Sequence, residues 1–193
     1  MTIDIDPNRL LLLDDEPHVI AALQRLLRQH FGRSLYIDTQ SDPLQALVLA
    51  EQRPWDAVLC DYRMPQLDGL EFLRRLSALQ PHAVRMMLSA SCELQTVMRA
   101  VNDVGVFRYL VKPWQTEQMI EHVQAALSHS RTQREQRHLA DAMRVRRGEL
   151  GAEEAERRRL EEIEPGITRV EWGPQGEVLM PPLPPTPGRR KGA

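Results

Sequence analysis

The sequence predicts an α/β protein, a parallel sheet of five strands with helices on both faces, carrying a helical C-terminal extension. Three observations predict it. Short, continuous apolar runs alternate with segments of helical periodicity, as successive βα units do. Two runs, Leu10 to Leu13 and Asp56-Ala57-Val58-Leu59-Cys60, are apolar along nearly their whole length, which suits strands buried on both faces. Polar residues follow the runs, at the carboxyl edge where open α/β sheets bind ligands.

Leu10 to Leu13 is the first strand, closed by Asp14-Asp15-Glu16-Pro17. Pro17 fits the first turn of a helix whose apolar positions Val19, Leu23, Leu26, Leu27 and Phe31 recur until Gly32 ends the pattern. A strand around Leu35 to Thr39 precedes a helix that Asp42 caps and Pro43 opens. The next strand leads to Asp61, after which Met64-Pro65 and Asp68-Gly69 make a loop. Leu70 to Leu79 is a third helix, and Ala83 to Leu88 a fourth strand ending at Ser89. Leu94 to Asp103 is a fourth helix, Phe107 to Val111 a fifth strand and Glu117 to about His129 a fifth helix. The crossover rule turns such units into a parallel sheet covered on both faces.

The 193 residues are 42% hydrophobic, enough for one domain with its own core and an appendage. Lys and Arg number 25 against 27 Asp and Glu, a formal charge of -2, so no global field draws the chain to nucleic acid or an anionic membrane. Cys60, inside a strand, and Cys92, near a helix start, suit a reduced cytosol better than a disulfide scaffold. No apolar stretch is long enough to span a bilayer, and the acidic start lacks signal-peptide regions. The expectation is a soluble cytoplasmic protein.

Asp14 and Asp15 follow the first strand, Asp61 the third, Ser89 the fourth and Lys112 the fifth. If the first and third strands are neighbours, as in the doubly wound order 2-1-3-4-5, three carboxylates converge in one crevice. Such a cluster repels itself unless protons or a cation neutralise it, and a hard ion that keeps several waters, Mg²⁺, suits these loops. Acceptor, cation, hydroxyl and ammonium are the parts that stabilise a phosphoryl group in transfer to a carboxylate. Singly, each residue reads as an ordinary turn or cap. Their joint order points to a site.

The segments Leu-Leu-Leu-Leu-Asp-Asp-Glu at 10 to 16, Cys-Asp-Tyr-Arg-Met-Pro-Gln-Leu-Asp-Gly at 60 to 69, Leu-Ser-Ala at 88 to 90 and Tyr-Leu-Val-Lys-Pro-Trp at 109 to 114 together resemble the receiver domain of two-component response regulators. The resemblance covers roughly residues 8 to 130 and implies a flavodoxin-like fold. It implies that Asp61 accepts a phosphoryl group from a partner histidine kinase. It assigns Mg²⁺ to Asp14, Asp15, Asp61 and the backbone carbonyl of Arg63, and the phosphoryl oxygens to Ser89 and Lys112. It further implies a cis Lys112-Pro113 bond. Tyr109 matches the switch aromatic that couples the site to the face of the fourth helix, fifth strand and fifth helix. In receivers the positions of Arg63 and Ser91 flank the path of the attacking water, so a bulky Arg63 implies slow self-dephosphorylation.

Beyond about residue 130 the character changes. Ser128 to His138 is polar all round and is expected to bury no face. Arg131 to Ile163 favours helix, with a broken stripe of Leu139, Met143, Leu150, Leu160 and Ile163 that Gly148 and Gly151 interrupt. Interleaved glutamates make its arginine runs read as a solvated, ion-paired helix rather than a nucleic-acid surface. A hairpin is expected about Gly173-Pro174-Gln175-Gly176, before a Pro-rich disordered tail. The organisation expected is a receiver at 1–130, a charged helical extension at 131–164, a small hairpin at 165–180 and the tail at 181–193.

The sequence holds no helix-turn-helix, cyclase, phosphodiesterase or Walker signature. The expected function is a phosphorylation switch, not a self-standing enzyme, whose catalysis is limited to its own Mg²⁺-dependent phosphorylation and dephosphorylation. Its output would be an unidentified protein partner or self-assembly as a homodimer. The alternatives are a relay to a histidine phosphotransfer protein and a nucleic-acid regulator using the Arg-rich helix.

Overall fold

In the computed structural model, residues 8–90, 98, 100, 102–163, 167, 171–172 and 178–179 are described. Strands β1 (Asn8–Leu13), β2 (Leu35–Gln40), β3 (Ala57–Asp61), β4 (Val84–Ser89) and β5 (Arg108–Val111) form one sheet in the order β2-β1-β3-β4-β5. Every pairing in it is parallel. Between and after the strands lie α1 (Pro17–Phe31), α2 (Pro43–Ala50), α3 (Gly69–Leu79), α4, of which residues 98, 100 and 102–104 are described, and α5 (Thr116–Arg146).

Period-two alternation divides the core. Leu10, Leu12 and Leu59 pack with Val19, Leu23 and Leu27 of α1 and with Met119 and Val123 of α5. Leu11, Leu13, Val58 and Cys60 pack on the other face with Ala46 of α2 and Phe72, Leu73 and Leu76 of α3. β1 and β3 sit inside the sheet and are covered on both sides, which is why their apolar runs are nearly unbroken. Helix starts follow their caps: Asp42 Oδ1 accepts from Leu44 N at 2.8 Å and Asp68 Oδ1 from Glu71 N at 2.8 Å.

The sequence takes the fifth helix to about His129 and leaves its continuation past residue 130 open; the structure shows that it continues. It runs unbroken to Arg146, so residue 130 lies inside it. The expectation that Ser128 to His138 buries no face is corrected. Ser130 is buried, and its hydroxyl donates to Asp56 Oδ1 at 3.3 Å. Arg134 ion-pairs with the same carboxylate, whose Oδ2 accepts from Arg9 N at 2.7 Å. Asp56 immediately precedes β3 and is itself buried, so the contact that ties the extension to the sheet is polar and leaves no apolar stripe to read.

Gly148, at φ +73°, stands in the turn after α5, and α6 (Ala152–Ile163) follows. Glu162 of α6 lies 3.0 Å from Arg137 Nε and 3.3 Å from His138 Nε2, and Arg158 lies 3.8 Å from Asp141. Strands β6 (Glu171–Trp172) and β7 (Val178–Leu179) pair antiparallel, with Trp172 opposite Val178. The rest of the expected hairpin apart from residue 167, the Pro-rich tail and Cys92 lie outside the described residues. Among the described residues no helix is long and apolar enough to cross a membrane.

Candidate functional site

The register aligns the carboxyl ends of the inner strands. Leu13 pairs with Cys60, Asp61 with Leu88 and Ser89 with Val111, so Asp14, Asp61, Ser89 and Lys112 reach one edge. Lys112 N donates to the Ser89 carbonyl at 2.8 Å, continuing the ladder one step, and the Lys112–Pro113 peptide is cis.

Two buried carboxylates meet one ammonium at this edge. Lys112 Nζ lies 2.6 Å from Asp61 Oδ1 and 2.8 Å from Asp14 Oδ2. The other oxygens are held by backbone: Arg63 N donates to Asp61 Oδ2 at 2.6 Å and Glu16 N to Asp14 Oδ1 at 3.0 Å. A third acid, Glu16, lies 3.6 Å from the ammonium. Burial pushes the Asp61 carboxyl above its ordinary pKa and the Asp14 charge adds to that, while the hydrogen bond and charge of Lys112 and the Arg63 amide pull it down without reversing it. For Lys112, burial alone would lower the ammonium, yet the hydrogen bonds and charges of Asp14 and Asp61 together raise it.

Asp15 is half-buried beside this cluster, in the wall of a shallow depression shared with Tyr62, Arg63, Met64, Pro65 and Asp68. The expected convergence of three carboxylates is therefore realised as Asp14 and Asp61 about the ammonium, with Asp15 at the rim. Among the described residues no three acid, imidazole or thiol side chains form a metal cage. The acids are all hard oxygen donors at an open edge, a set that fits a cation retaining its own waters rather than a closed site. Ser89 is buried at the end of β4. Tyr109 is half-buried and packs, with Tyr62, against the core cluster of α2 and α3. Ser91 lies outside the described residues.

Gly69, which the sequence marks as a loop breaker, also sits against the Asp61 backbone. A Cβ there would lie 2.1 Å from the Asp61 carbonyl oxygen, and Gly69 N donates to the Tyr62 carbonyl at 2.8 Å. The signal was the Asp-Gly step itself, since this close approach needs a residue without a side chain. Cys60, next to Asp61, is an inert core thiol: burial first, then the Asp61 charge, push its pKa well up.

A family model described as the response regulator receiver domain matches residues 10–124. The chain is similar to the hydrogenase transcriptional regulatory protein HoxA of Bradyrhizobium diazoefficiens, 37% identical over 126 residues that cover 65% of this chain and 25% of HoxA. It is also similar to the transcriptional regulatory protein ZraR of Salmonella typhimurium, 29% identical over 154 residues, covering 80% of this chain and 34% of ZraR. It thus spans a quarter to a third of the length of these curated relatives. Among solved structures it is similar to the signal receiver domain of an HD domain-containing protein from Pseudomonas fluorescens Pf-5, with a TM-score of 0.65 and 28% identity, covering 70% of this chain and 97% of that one.

Proposed function

The chain belongs to the response regulator receiver domain family, and from that premise we propose that Asp61 accepts a phosphoryl group from a histidine kinase and that its charge state sets which surface the protein presents. The observation that carries this reading is the Lys112 ammonium held 2.6 Å from Asp61 Oδ1 and 2.8 Å from Asp14 Oδ2 at the open edge of the sheet. In the transfer, the P–N bond of a phosphohistidine breaks as a P–O bond forms to an Asp61 carboxylate oxygen. The electron pair leaves with the imidazole nitrogen.

Asp14, Asp15 and Asp61, with the main-chain carbonyl of Arg63, would hold Mg²⁺. When bound, the ion supplies charge neutralisation for the phosphoryl oxygens. Lys112 supplies an ammonium that follows those oxygens as charge moves off the carboxylate. Ser89, buried one register step away, offers a hydroxyl to the phosphoryl group, and Tyr109 carries the change to the face of α4, β5 and α5. Arg63 shields the acyl phosphate and, with Ser91, sets its lifetime.

Residues 1–130 form the receiver in this reading, 131–164 the charged extension, 165–180 the hairpin and 181–193 the tail, in a protein of the cytoplasm. Because α5 crosses residue 130 without a break, a change at the receiver's α5 face reaches the extension through one rigid element. Output through a protein partner or a second copy is favoured over nucleic acid. Arg144, Arg157, Arg158 and Arg159 of the arginine runs already pair with Asp141, Glu154 and Glu156. Relay to a histidine phosphotransfer protein is the second reading, supported by the same edge geometry.

Light-scattering mass on a sizing column, with Mg²⁺ and beryllofluoride, compares wild type with Asp61→Ala. A mass change confined to wild type supports control of assembly through Asp61. Constant mass despite bound beryllofluoride removes self-assembly and leaves the partner reading.

A further inference from the structure

Glu16 stands at the N-cap of α1, where a side chain ordinarily accepts hydrogen bonds from the helix's first free N–H groups. It makes no such bond. Its carboxylate lies between the His18 imidazole and the Lys112 ammonium instead, Oε2 3.2 Å from His18 Nε2 and Oε1 3.6 Å from Lys112 Nζ. The backbone beneath it is pinned: its carbonyl accepts from Val19 N at 3.0 Å and Ile20 N at 3.3 Å, and its N–H is spent on Asp14. The Lys112 ammonium therefore has three carboxylate neighbours, of which the site chemistry uses two.

We propose that Glu16 is a positioning residue that holds Lys112 in its resting place and so restrains phosphoryl capture at Asp61. This rests on the phosphoacceptor reading above. For Lys112 to follow a phosphoryl group it must leave the Asp61 oxygen it now contacts, and each carboxylate that holds it at rest opposes that move. Glu16 also repels an incoming anion at the same edge, so both effects act in one direction. Its side chain is 49% exposed, so the restraint is that of a screened pair, on the order of threefold in affinity.

The test is calorimetric titration of beryllofluoride into the full chain with Mg²⁺ present, alongside thermal unfolding. Glu16→Gln removes the charge and keeps the length; it is expected to bind about threefold more tightly, with the gain shrinking as salt is added. Glu16→Asp retracts the charge to where it can cap α1, and is expected to raise the melting temperature with a smaller gain in binding. A purely structural residue would make affinity follow melting temperature across the three proteins. Binding by Glu16→Gln equal to or weaker than wild type, with wild-type binding intact and lost in Asp61→Ala, overturns the role of Glu16 alone. No binding by wild type overturns the phosphoacceptor reading as well.

Discussion

Replacing Gly69 by alanine sets two physical rules against each other. Gly69 opens α3, where a glycine-to-alanine change ordinarily stabilises a helix by roughly 0.5–1 kcal/mol. Here the new Cβ would sit 2.1 Å from the Asp61 carbonyl oxygen and 3.0 Å from the Asp61 carbonyl carbon and Tyr62 Cα. An ordinary carbon–oxygen contact is about 3.3 Å, so the two segments must part by roughly 1.2 Å. All three crowded atoms are backbone, and no side chain can swing aside. Parting them strains the 2.8 Å bond from Gly69 N to the Tyr62 carbonyl and moves Asp61. Overpacking of this kind costs about 1–3 kcal/mol, and net of the helix gain Gly69→Ala should lose roughly 1 kcal/mol. Urea unfolding should show a lower midpoint with an unchanged slope. The protein that remains folded should bind beryllofluoride at least several-fold more weakly. A variant as stable as wild type, or more so, would refute the claim that α3 abuts the Asp61 backbone.

The burial that raises Asp61 makes its ionised form unfavourable in the folded chain. The contribution of a group with a raised folded pKa is present below its unfolded value, near ~4, and is lost as pH rises through the folded value. Asp61→Asn should therefore stabilise the protein at neutral pH, an advantage that fades as pH falls towards ~4, and parallel thermal melts across that range check the sign. Asp56→Ala removes the acceptor of Ser130 and of Arg9 N. Losing those buried bonds should cost about 1–3 kcal/mol, with little added by the half-exposed Arg134. Hydrogen exchange should quicken over residues 128–146, and unchanged protection there would show that α5 does not need this clamp. Arg63→Asn should shorten the life of the acyl phosphate several-fold; equal decay in both proteins, followed by mass, removes Arg63 from control of its lifetime.

The site was legible where chemistry coincides with a strand end. Asp14, Asp61, Ser89 and Lys112 each stop an apolar run, and parallel register then carries them to one edge. What was not legible depends on backbone proximity or on polar docking. The need for Gly69 lies in its distance to the Asp61 carbonyl, a contact between segments that sequence spacing does not measure. Asp56 opens a strand that reads as buried, but spacing does not show that its carboxylate gathers Arg9, Ser130 and Arg134. The length of α5 escaped for the same reason: an apolar stripe announces a buried helix face, and this helix is held beyond Leu127 by a hydroxyl and a guanidinium. Glu16 looked like one more acid in a turn, and its unused cap position and 3.6 Å approach to Lys112 set it apart.

Intact-mass spectrometry after incubation with acetyl phosphate and Mg²⁺, on wild type and Asp61→Ala side by side, asks whether Asp61 is the acceptor. The geometry of the Asp14, Asp61 and Lys112 cluster predicts the mass of a single added phosphoryl group in wild type, labile to hydroxylamine, and none in the variant. Equal phosphorylation of both proteins, or none in wild type under conditions that phosphorylate another receiver, would contradict it.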